Sequence, residues 1–490
     1  MPACLPPNIP QFDDRYAGTP ESASTYWGGA RVAAGREGSP AVSRRPLGDS
    51  LIDARKTYDL PALVDLALHA HPETRASWEE AQAAAARLEK DRAAWYPRLT
   101  AMAFAQHFQD TLIIKTGPLR RNGYEGFGGL DLAWTLFDFG RRTAAVEGGA
   151  HRLTAANFAF NRKHQEIAYR VAVAFFVYQS ALARIGAAQA TLTAAAEGAA
   201  AVQAKFDKGL ATRPDLLLAI QEQAKASYDL QDARGALIQA RADLAASLGI
   251  SPAHTLNLVD LSSVPLPESL AQSAEKIADQ ALEQRPDLIA RLAELRAREA
   301  EIKKAWADFW PKVSMRAMVG DQYWGGVRPT PPGDQSYSLS HLVDVAGLTL
   351  EWTLFDGFER TSAIREAVSR REAAQAQLES LRLEIVRDIW KAYADTKTSL
   401  QKRDFANALL KAAEDAYAAT RESYGHGLTT VIELLSAQKD LARARYTEID
   451  SRAALLRSAA TLVYAAGEMN RGEASGTTPP SPFTTGLESR

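Results

Sequence analysis

Cysteine is nearly absent from this chain of 490 residues: Cys4 is the only one, so no disulfide bond can form within a single copy. No run of 18 apolar residues occurs, which predicts that no helix spans a membrane and that only β-strands could do so. Basic residues are not in excess, because the formal net charge is -2, so we expect no nucleic-acid partner.

Groups that could carry catalysis are also scarce. The eight histidines are scattered, the five methionines form no cluster, and no glycine-rich phosphate loop occurs. The nearest pair of histidines, His69 and His71, precedes a proline and is interpreted as ordinary surface rather than as a metal site. The sequence therefore predicts no enzyme activity, no metal and no cofactor.

Helix-forming residues, in contrast, are abundant. Hydrophobic residues make up 46% of the chain and charged residues 24%, and long stretches consist of Ala, Glu, Gln, Lys, Arg and Leu. This mixture is typical of long helices rather than of a mixed globular core.

The chain contains one pattern twice. Pro72 and Pro286 are 214 residues apart, and so are Pro97 and Pro311, which each follow two aromatic residues. Two longer motifs recur at an offset of 218 residues: Trp134-Thr-Leu-Phe-Asp138 with Trp352-Thr-Leu-Phe-Asp356, and Phe206-x-x-Gly-Leu-x-Thr-x-x-Asp-Leu-Leu217 with Tyr424-x-x-Gly-Leu-x-Thr-x-x-Glu-Leu-Leu435. The shared order indicates an internal tandem duplication, with a four-residue insertion between Pro311 and Trp352.

Each repeat starts with a helix that ends before the aromatic-proline motif, and a strand pair follows. The return strands alternate apolar and polar residues, which fits either a soluble sheet or a membrane barrel. We expect β-hairpins over about residues 98–137 and 312–355, with Gly-, Pro- and aromatic-rich loops over about 107–123 and 322–340. The register of the first strand does not follow from the pattern. Trp134 and Trp352 are interpreted as membrane-interface aromatics or, alternatively, as core tryptophans of a small sheet.

A very long helix follows each strand pair. The first extends over about residues 141–208, has no proline and would measure about 100 Å. Glycine then interrupts the pattern, and a second helix is predicted over about 212–248. The second repeat predicts helices over about 360–424 and 430–466. Each pair is expected to form a coiled-coil hairpin, which must pack on the other hairpin or on neighbouring chains.

Duplicated units of helix, strand pair and long helical hairpin resemble the TolC-like outer-membrane efflux channel family. The resemblance covers about residues 58–468, and its most specific motif is the hairpin turn F/Y-x-x-G-L-x-T-x-x-D/E-L-L. It implies a mainly α fold with β: a homotrimer whose α-helical periplasmic barrel continues into a 12-stranded transmembrane β-barrel, four strands per chain. It also implies a location in the outer membrane of a Gram-negative bacterium, contact with its lipid, and two partners, an inner-membrane pump and a periplasmic adaptor.

The resemblance divides the chain into five segments. Residues 1–57 would form an extended N-terminal segment around the equator of the helical barrel, lipid-anchored if Cys4 is acylated, and residues 58–250 the first repeat, which turns at Gly209. Residues 251–272 form a linker around the equator of the helical barrel, residues 273–468 the second repeat, which turns at Gly427, and residues 469–490 a C-terminal tail.

The resemblance also suggests site residues. Acidic side chains after the turns, Glu433 and by equivalence Asp215, would line the closed periplasmic aperture and favour cations. The family's second acidic position, one helical turn later, is Ser436 here, so a weaker ring or one built differently is expected. The alternative role of both acids is stabilisation of a helix N-terminus. The turn and adaptor contact would be formed by Gly209, Leu210, Thr212, Gly427, Leu428 and Thr430.

Cys4 and the overall function leave alternatives open. Ala3-Cys4 before Leu5-Pro6-Pro7 resembles the start of a mature bacterial lipoprotein, so Cys4 is either a lipid-attachment site in a chain whose leader has been removed or a free cysteine. The favoured function is an exit duct that passively exports small molecules. A type I protein-secretion channel and a soluble coiled-coil scaffold are the alternatives.

Overall fold

The computed structural model describes residues 52, 55–115, 117–254, 256–260, 266–330, 333–469 and 483–484. Cys4 and almost all of the N-terminal and C-terminal segments lie outside these residues. The chain forms two compact units. One, which we call the helical unit, contains the described residues up to Glu80, Asn157–Ala290 and those from Glu379 onward. The other, the sheet unit, contains Ala81–Ala156 and Arg291–Leu378.

The two repeats contain helices of the same lengths in the same order. Helices of 11, 22, 67 and 36 residues occur in each repeat. In the first repeat they are α1 (Leu60–Ala70), α2 (Pro72–Ala93), α3 (Arg141–Asp207) and α4 (Arg213–Leu248), and in the second α5 (Ala274–Gln284), α6 (Pro286–Ala307), α7 (Glu359–Gly425) and α8 (Val431–Ala466).

Four long strands form the sheet of the sheet unit. Short strands β1 (Thr57–Tyr58) and β4 (Asn257–Leu258) pair in parallel, and β5 (Ser269–Leu270) pairs with β8 (Phe483–Thr484). The long strands are β2 (Arg98–Ile114), β3 (Gly117–Phe137), β6 (Lys312–Thr330) and β7 (Gly333–Glu351). They are antiparallel neighbours in the order β2-β3-β6-β7, so the first hairpin is joined to the second through β3 and β6.

The long loops predicted within the hairpins are wrong. Residues pair continuously from Arg98 with Ala133 to Ile114 with Gly117, so the strands extend through most of the segment 107–123. The second hairpin is paired in the same way through most of 322–340. Glycine and aromatic residues suggested loops, but here aromatic rings cover the glycines: the Phe127 ring lies against the paired Gly129 and Gly320.

The second hairpin is shorter than predicted at its other end. β7 ends at Glu351, whereas the prediction continued to residue 355. In the equivalent segment of β3, Trp134, Thr135 and Phe137 pair only with β6, because β2 begins at Arg98, opposite Ala133. Residues 352–355 follow the outer edge of β7, where the described part of the chain supplies no strand to pair with them.

A core in the helical unit packs the first helix against the long helices. Leu63 of α1, Val171 and Phe175 of α3 and Leu248 of α4 are fully buried there together with Tyr58. The periodic apolar residues of these helices therefore find their partners within the unit.

The prediction that no helix is apolar enough to span a membrane does not hold for α3. An 18-residue window of this helix has a mean hydropathy of 1.5 and passes a membrane-span test by length and composition alone. The many alanines raise the mean although polar residues interrupt every apolar run. Of that window, 39% is buried inside the chain, and a buried core helix passes the same test.

Candidate functional site

The first hairpin turn ends α3 with a left-handed glycine. Gly209 has φ of +73°, its N–H donates to Phe206 O at 2.9 Å, and Leu210 N–H donates to Lys205 O at 2.8 Å. These two bonds satisfy carbonyls at the end of the helix and turn the chain sharply. A side chain with Cβ would be strained at this φ, which explains why the turn motif requires glycine.

The second turn has the same geometry. Gly427 has φ of +74°, its N–H donates to Tyr424 O at 3.1 Å, and Leu428 N–H donates to Ser423 O at 2.9 Å. Leu210 and Leu428, which follow the two glycines, are 74% and 78% exposed. The two turns therefore present equivalent apolar side chains to solvent.

Each following helix starts with a reciprocal cap. Thr212 and Thr430 are the N-cap residues of α4 and α8, and their hydroxyl oxygens accept from the N–H groups of Asp215 and Glu433 at 3.3 Å. The carboxylates in turn accept from the N–H groups of Thr212 and Thr430 at 3.0 Å. Both predicted acids therefore occupy the third helical position of a capping box.

Asp215 accepts one further hydrogen bond. The Thr212 hydroxyl donates to its carboxylate at 2.6 Å. This bond, together with the bond from the Thr212 backbone, lowers the pKa of Asp215 below its ordinary value. The carboxylate is thus ionised at neutral pH, as is needed either for a cap or for an ion-binding ring.

The two turns contact each other through a residue pair that the sequence did not predict. Lys205 Nζ donates to Tyr424 O at 3.0 Å and lies 3.7 Å from the centroid of the Tyr424 ring. A small apolar cluster lies beneath this contact, where Val202 of α3 packs with Val431 and Leu435 of α8. The motif position of Tyr424 was visible in the sequence, but the contact with Lys205 was not, because it joins residues more than 200 positions apart.

The predicted interface tryptophans lie in the sheet unit and are anchored to the backbone. Trp134 Nε1–H donates to Trp95 O at 3.0 Å, and Trp352 Nε1–H donates to Phe309 O at 3.1 Å. Both rings are exposed. Their ring faces are therefore accessible, although their indole N–H groups already donate hydrogen bonds within the chain.

An arginine fixes each junction between strand and long helix. Arg142 donates to the Asp138 carboxylate at 2.9 Å and to Thr135 O at 2.7 Å, and its guanidinium lies 4.3 Å from the Trp95 ring centroid. Arg360 donates to Asp356 in the same way. An arginine four residues after the aspartate of both W-T-L-F-D motifs is the signal in the sequence that could have identified this pair.

Phenylalanine adopts a left-handed backbone at both junctions. Phe139 has φ of +50° and Phe358 has φ of +72°, and each adjoins a glycine that also has positive φ. A non-glycine residue is uncommon there and carries strain that its surroundings must offset. The Phe139 ring stacks on Trp310 at 5.3 Å between centroids, a contact between the two repeats.

Comparison with known proteins identifies the family. A family model described as outer membrane efflux protein matches residues 63–250 and again residues 277–468, one match in each repeat. The chain belongs to the outer membrane efflux protein family. Its family is one of outer-membrane channels and not an enzyme family, and the described residues contain no group of three His, Cys, Asp or Glu residues that could hold a metal.

Individual relatives cover most of the chain. Protein CyaE of Bordetella pertussis is 28% identical over 445 residues, which is 90% of this chain and 90% of that protein. Outer membrane protein OprJ of Pseudomonas aeruginosa is 25% identical and covers 84% of this chain and 83% of its own length. Alkaline protease secretion protein AprF of the same organism is 25% identical, with coverage of 80% and 82%.

Solved structures have the same fold. The outer-membrane channel OprN has a TM-score of 0.72 at 21% identity and covers 85% of this chain and 93% of its own. The open state of the MtrE outer membrane channel of Neisseria gonorrhoeae has a TM-score of 0.70 at 20% identity, with coverage of 84% and 90%. The protein is thus an outer-membrane efflux channel of the TolC-like fold, with a long helical extension in the periplasm.

Proposed function

We propose that this protein is the outer-membrane exit duct of a tripartite efflux system. Three copies would form one channel that passively exports small molecules delivered by an inner-membrane pump and a periplasmic adaptor. The observation that carries the proposal is the four-stranded sheet, whose outer strands β2 and β7 each have only one neighbour within the described chain.

Long strands with free edges need partners, and copies of the same chain can supply them. An exposed edge of 17 or 19 residues would promote uncontrolled association unless it were paired. Pairing β7 of one copy with β2 of the next closes a ring, and three copies give 12 strands, a common size for a membrane barrel. Outer-membrane lipid would surround that barrel.

The hairpin turns are proposed as the periplasmic gate and docking end. Glu433 and Asp215 of three copies would surround one axis and favour cations over anions. The exposed Leu210 and Leu428, held by Gly209, Gly427, Thr212 and Thr430, would contact the adaptor. Trp134 and Trp352 are proposed to face the membrane interface, and acylation of Cys4 would add an anchor.

The negative charge of Glu433 and its role in the capping box can be tested separately. A glutamine can still accept from Thr430 N–H, so Glu433→Gln preserves the capping box while it removes the charge. We expect the purified channel carrying this substitution to lose cation preference in a planar bilayer and to keep its thermal stability. Unchanged ion preference would assign Glu433 to the cap alone.

A type I protein-secretion channel is the second candidate. AprF is named as an alkaline protease secretion protein and matches four-fifths of this chain. Deletion of the gene in its own host distinguishes the two functions. Accumulation of a fluorescent dye inside the deletion strain, with an unchanged set of secreted proteins, would support small-molecule efflux. Normal dye export with the loss of one secreted protein would support secretion instead.

A further inference from the structure

Inside the sheet unit, the two repeats contact each other through one pair of strands. Inside one chain, the second strand of repeat 1, β3, pairs with the first strand of repeat 2, β6. The register places Leu132 opposite Ala317, and beyond the end of β2 it continues with Trp134 opposite Met315 and Phe137 opposite Val313. The outward edge of β3 is thus paired with repeat 2 along most of its length.

Side chains beside these strands also join the repeats. Phe139, which follows β3, stacks on Trp310 at 5.3 Å, and Glu147 of α3 accepts from Lys303 of α6 at 2.7 Å. These contacts and the strand pairing form one continuous boundary from the sheet into the helices.

The equivalent flank of repeat 2 has the same W-T-L-F-D motif without those contacts. Leu354 and Phe355, in the segment after β7, are 79% and 75% exposed, and Trp352 and Phe358 are exposed as well. In repeat 1, the equivalent Trp134 and Phe137 are paired with β6, and the equivalent Leu136 and Phe137 are less exposed, at 36% and 53%. An exposed apolar segment next to a free strand edge is a surface that needs a strand partner.

We infer that the partner is repeat 1 of the next copy, held in the register that repeat 2 uses on repeat 1 within the chain. The inference rests on the proposed trimeric channel and adds the residue pairs that join its copies. Transfer of the register by the offsets of 218 and 214 residues places Leu350 opposite Ala103 of the next copy. Trp352 and Phe355 then lie opposite Ala101 and Leu99 of that copy, which extends β7 by the four residues that the prediction had assigned to it.

The transferred side-chain contacts are chemically complementary. The offset of 218 places Gly357 at the position of Phe139, with Phe358 directly after it, and Tyr96 of the next copy takes the place of Trp310, so an aromatic ring is again available on each side of the contact. Glu147 and Lys303 become Arg365 and Glu89 of the next copy, a pair with the charges exchanged but still opposite. Such a reversal is what two sides of one interface show when each has changed to suit the other.

One contact does not transfer. Arg152 binds Glu301 within the chain, and the corresponding residues are Arg370 and Arg87, which have the same charge. Arg370 is instead paired with Glu366 on its own helix. The boundary between copies is therefore expected to be weaker at this level than the boundary between repeats.

Disulfide trapping tests the register directly. We would introduce Leu350→Cys and Ala103→Cys into one full-length chain and oxidise the detergent-extracted protein. Within a chain these positions are separated by two intervening strands, about 14 Å, so only a link between copies can form. Leu350→Cys with Ala105→Cys is the matched control, because that position lies on the same face but two residues out of register.

The expected result is a covalent trimer for the pair 350 and 103, with at least tenfold less for the pair 350 and 105. The two single-cysteine variants show whether Cys4 contributes to any link. Trimers of normal size that link better at 105, or at neither position, would overturn the inferred register and leave the proposed channel intact. A particle with a single copy of the chain would overturn the channel and the inference together.

Charge exchange gives an independent measurement. Arg365→Glu places two acids at the inferred contact, so the temperature at which trimers dissociate in detergent should fall. Adding Glu89→Arg should restore it, because the pair then has opposite charges again. A double variant that is no more stable than Arg365→Glu alone would contradict this contact.

Discussion

The two repeats have the same helices but stabilise the bend between the first two helices with different charges. In repeat 2, Arg285 precedes the proline, is buried, donates to Ala465 O at 2.9 Å and pairs with Asp287. In repeat 1, the same position is His71, which is also buried, and the ion pair of Glu73 with Arg170 is half-exposed. The interpretation of His71 as an ordinary surface residue is therefore wrong.

This difference distinguishes the residues that the backbone conformation requires from the charged residues that can be replaced. In both repeats the residue before proline is extended and packs on the left-handed glycine that follows the last helix, Gly249 or Gly467. Proline and glycine are therefore the same in both repeats. The charged partners differ, because only a local balance of charge and hydrogen bonds has to be preserved.

Loss of the buried acid should have the largest effect on stability. Asp287 is the carboxylate that faces both Arg285 and Arg162, and both arginine side chains are largely buried. Asp287→Asn leaves two guanidinium groups without that countercharge, so we expect a loss of about 3 kcal/mol in the free energy of unfolding. The matched variant Glu73→Gln should lose less than about 1 kcal/mol, because its pair is partly solvated. Equal losses in denaturant titrations would remove the distinction between the two bends.

Acid should destabilise the protein in two pH windows to which His164 and Glu73 of repeat 1 contribute. Burial lowers the pKa of His164 from 6.5 to about 4, and the hydrogen bond from Arg170 lowers the pKa of Glu73 from 4.5 to about 2. Each folded pKa lies below the unfolded value, so each contribution is complete above the unfolded pKa and disappears as pH falls through the folded one. The equivalent of His164 in repeat 2 is the exposed Arg382, which cannot contribute.

The variant His164→Gln tests the contribution of His164 to the upper window. We expect it to reduce the fall in unfolding free energy between about pH 6.5 and pH 4 by up to about 3 kcal/mol for a shift of this size, while His71, whose pKa burial also lowers, keeps its own contribution. The decline between about pH 4.5 and pH 2 should persist and should be reduced by Glu73→Gln instead. If His164→Gln leaves the upper part of the pH profile unchanged, burial of the imidazole is not its cause.

The two hairpin turns share their backbone geometry, but only the first turn supplies the side chain that joins them. Lys205 of the first turn reaches Tyr424, and the residue at its equivalent position in repeat 2 is Ser423, which cannot reciprocate. Lys205→Met should weaken the contact by about 1 kcal/mol and speed amide hydrogen exchange in residues 424–430. Lys208→Met, an exposed substitution in the same turn, is the control. Equal exchange in both variants would show that Lys205 does not hold the second turn.

The parts of the molecule that sequence could predict are those fixed by local backbone rules. The helix ends at Gly209 and Gly427 and the caps at Thr212 and Thr430 follow from φ and hydrogen-bonding requirements that are local in the chain. Contacts such as Lys205 with Tyr424 depend on packing between distant segments and have no local signal. The hairpin loops were mispredicted because composition alone does not reveal that aromatic rings can cover glycines in paired strands.

The smallest expected effect compares the two capping boxes. Thr212 binds its acid through both N–H and hydroxyl, whereas Thr430 N–H donates to Glu433 without a corresponding hydroxyl bond among the contacts described. Thr212→Ala and Thr430→Ala should each loosen the first turn of the following helix by about 1 kcal/mol, or about fivefold in amide exchange. Thr212→Ala should cost somewhat more and should also let the pKa of Asp215 rise toward its ordinary value. Thr429→Ala gives repeat 2 the alanine that repeat 1 has at this position and keeps the cap, so it should leave exchange unchanged. If Thr429→Ala loosened the turn as much as Thr430→Ala, the turn itself rather than the capping box would hold the start of α8.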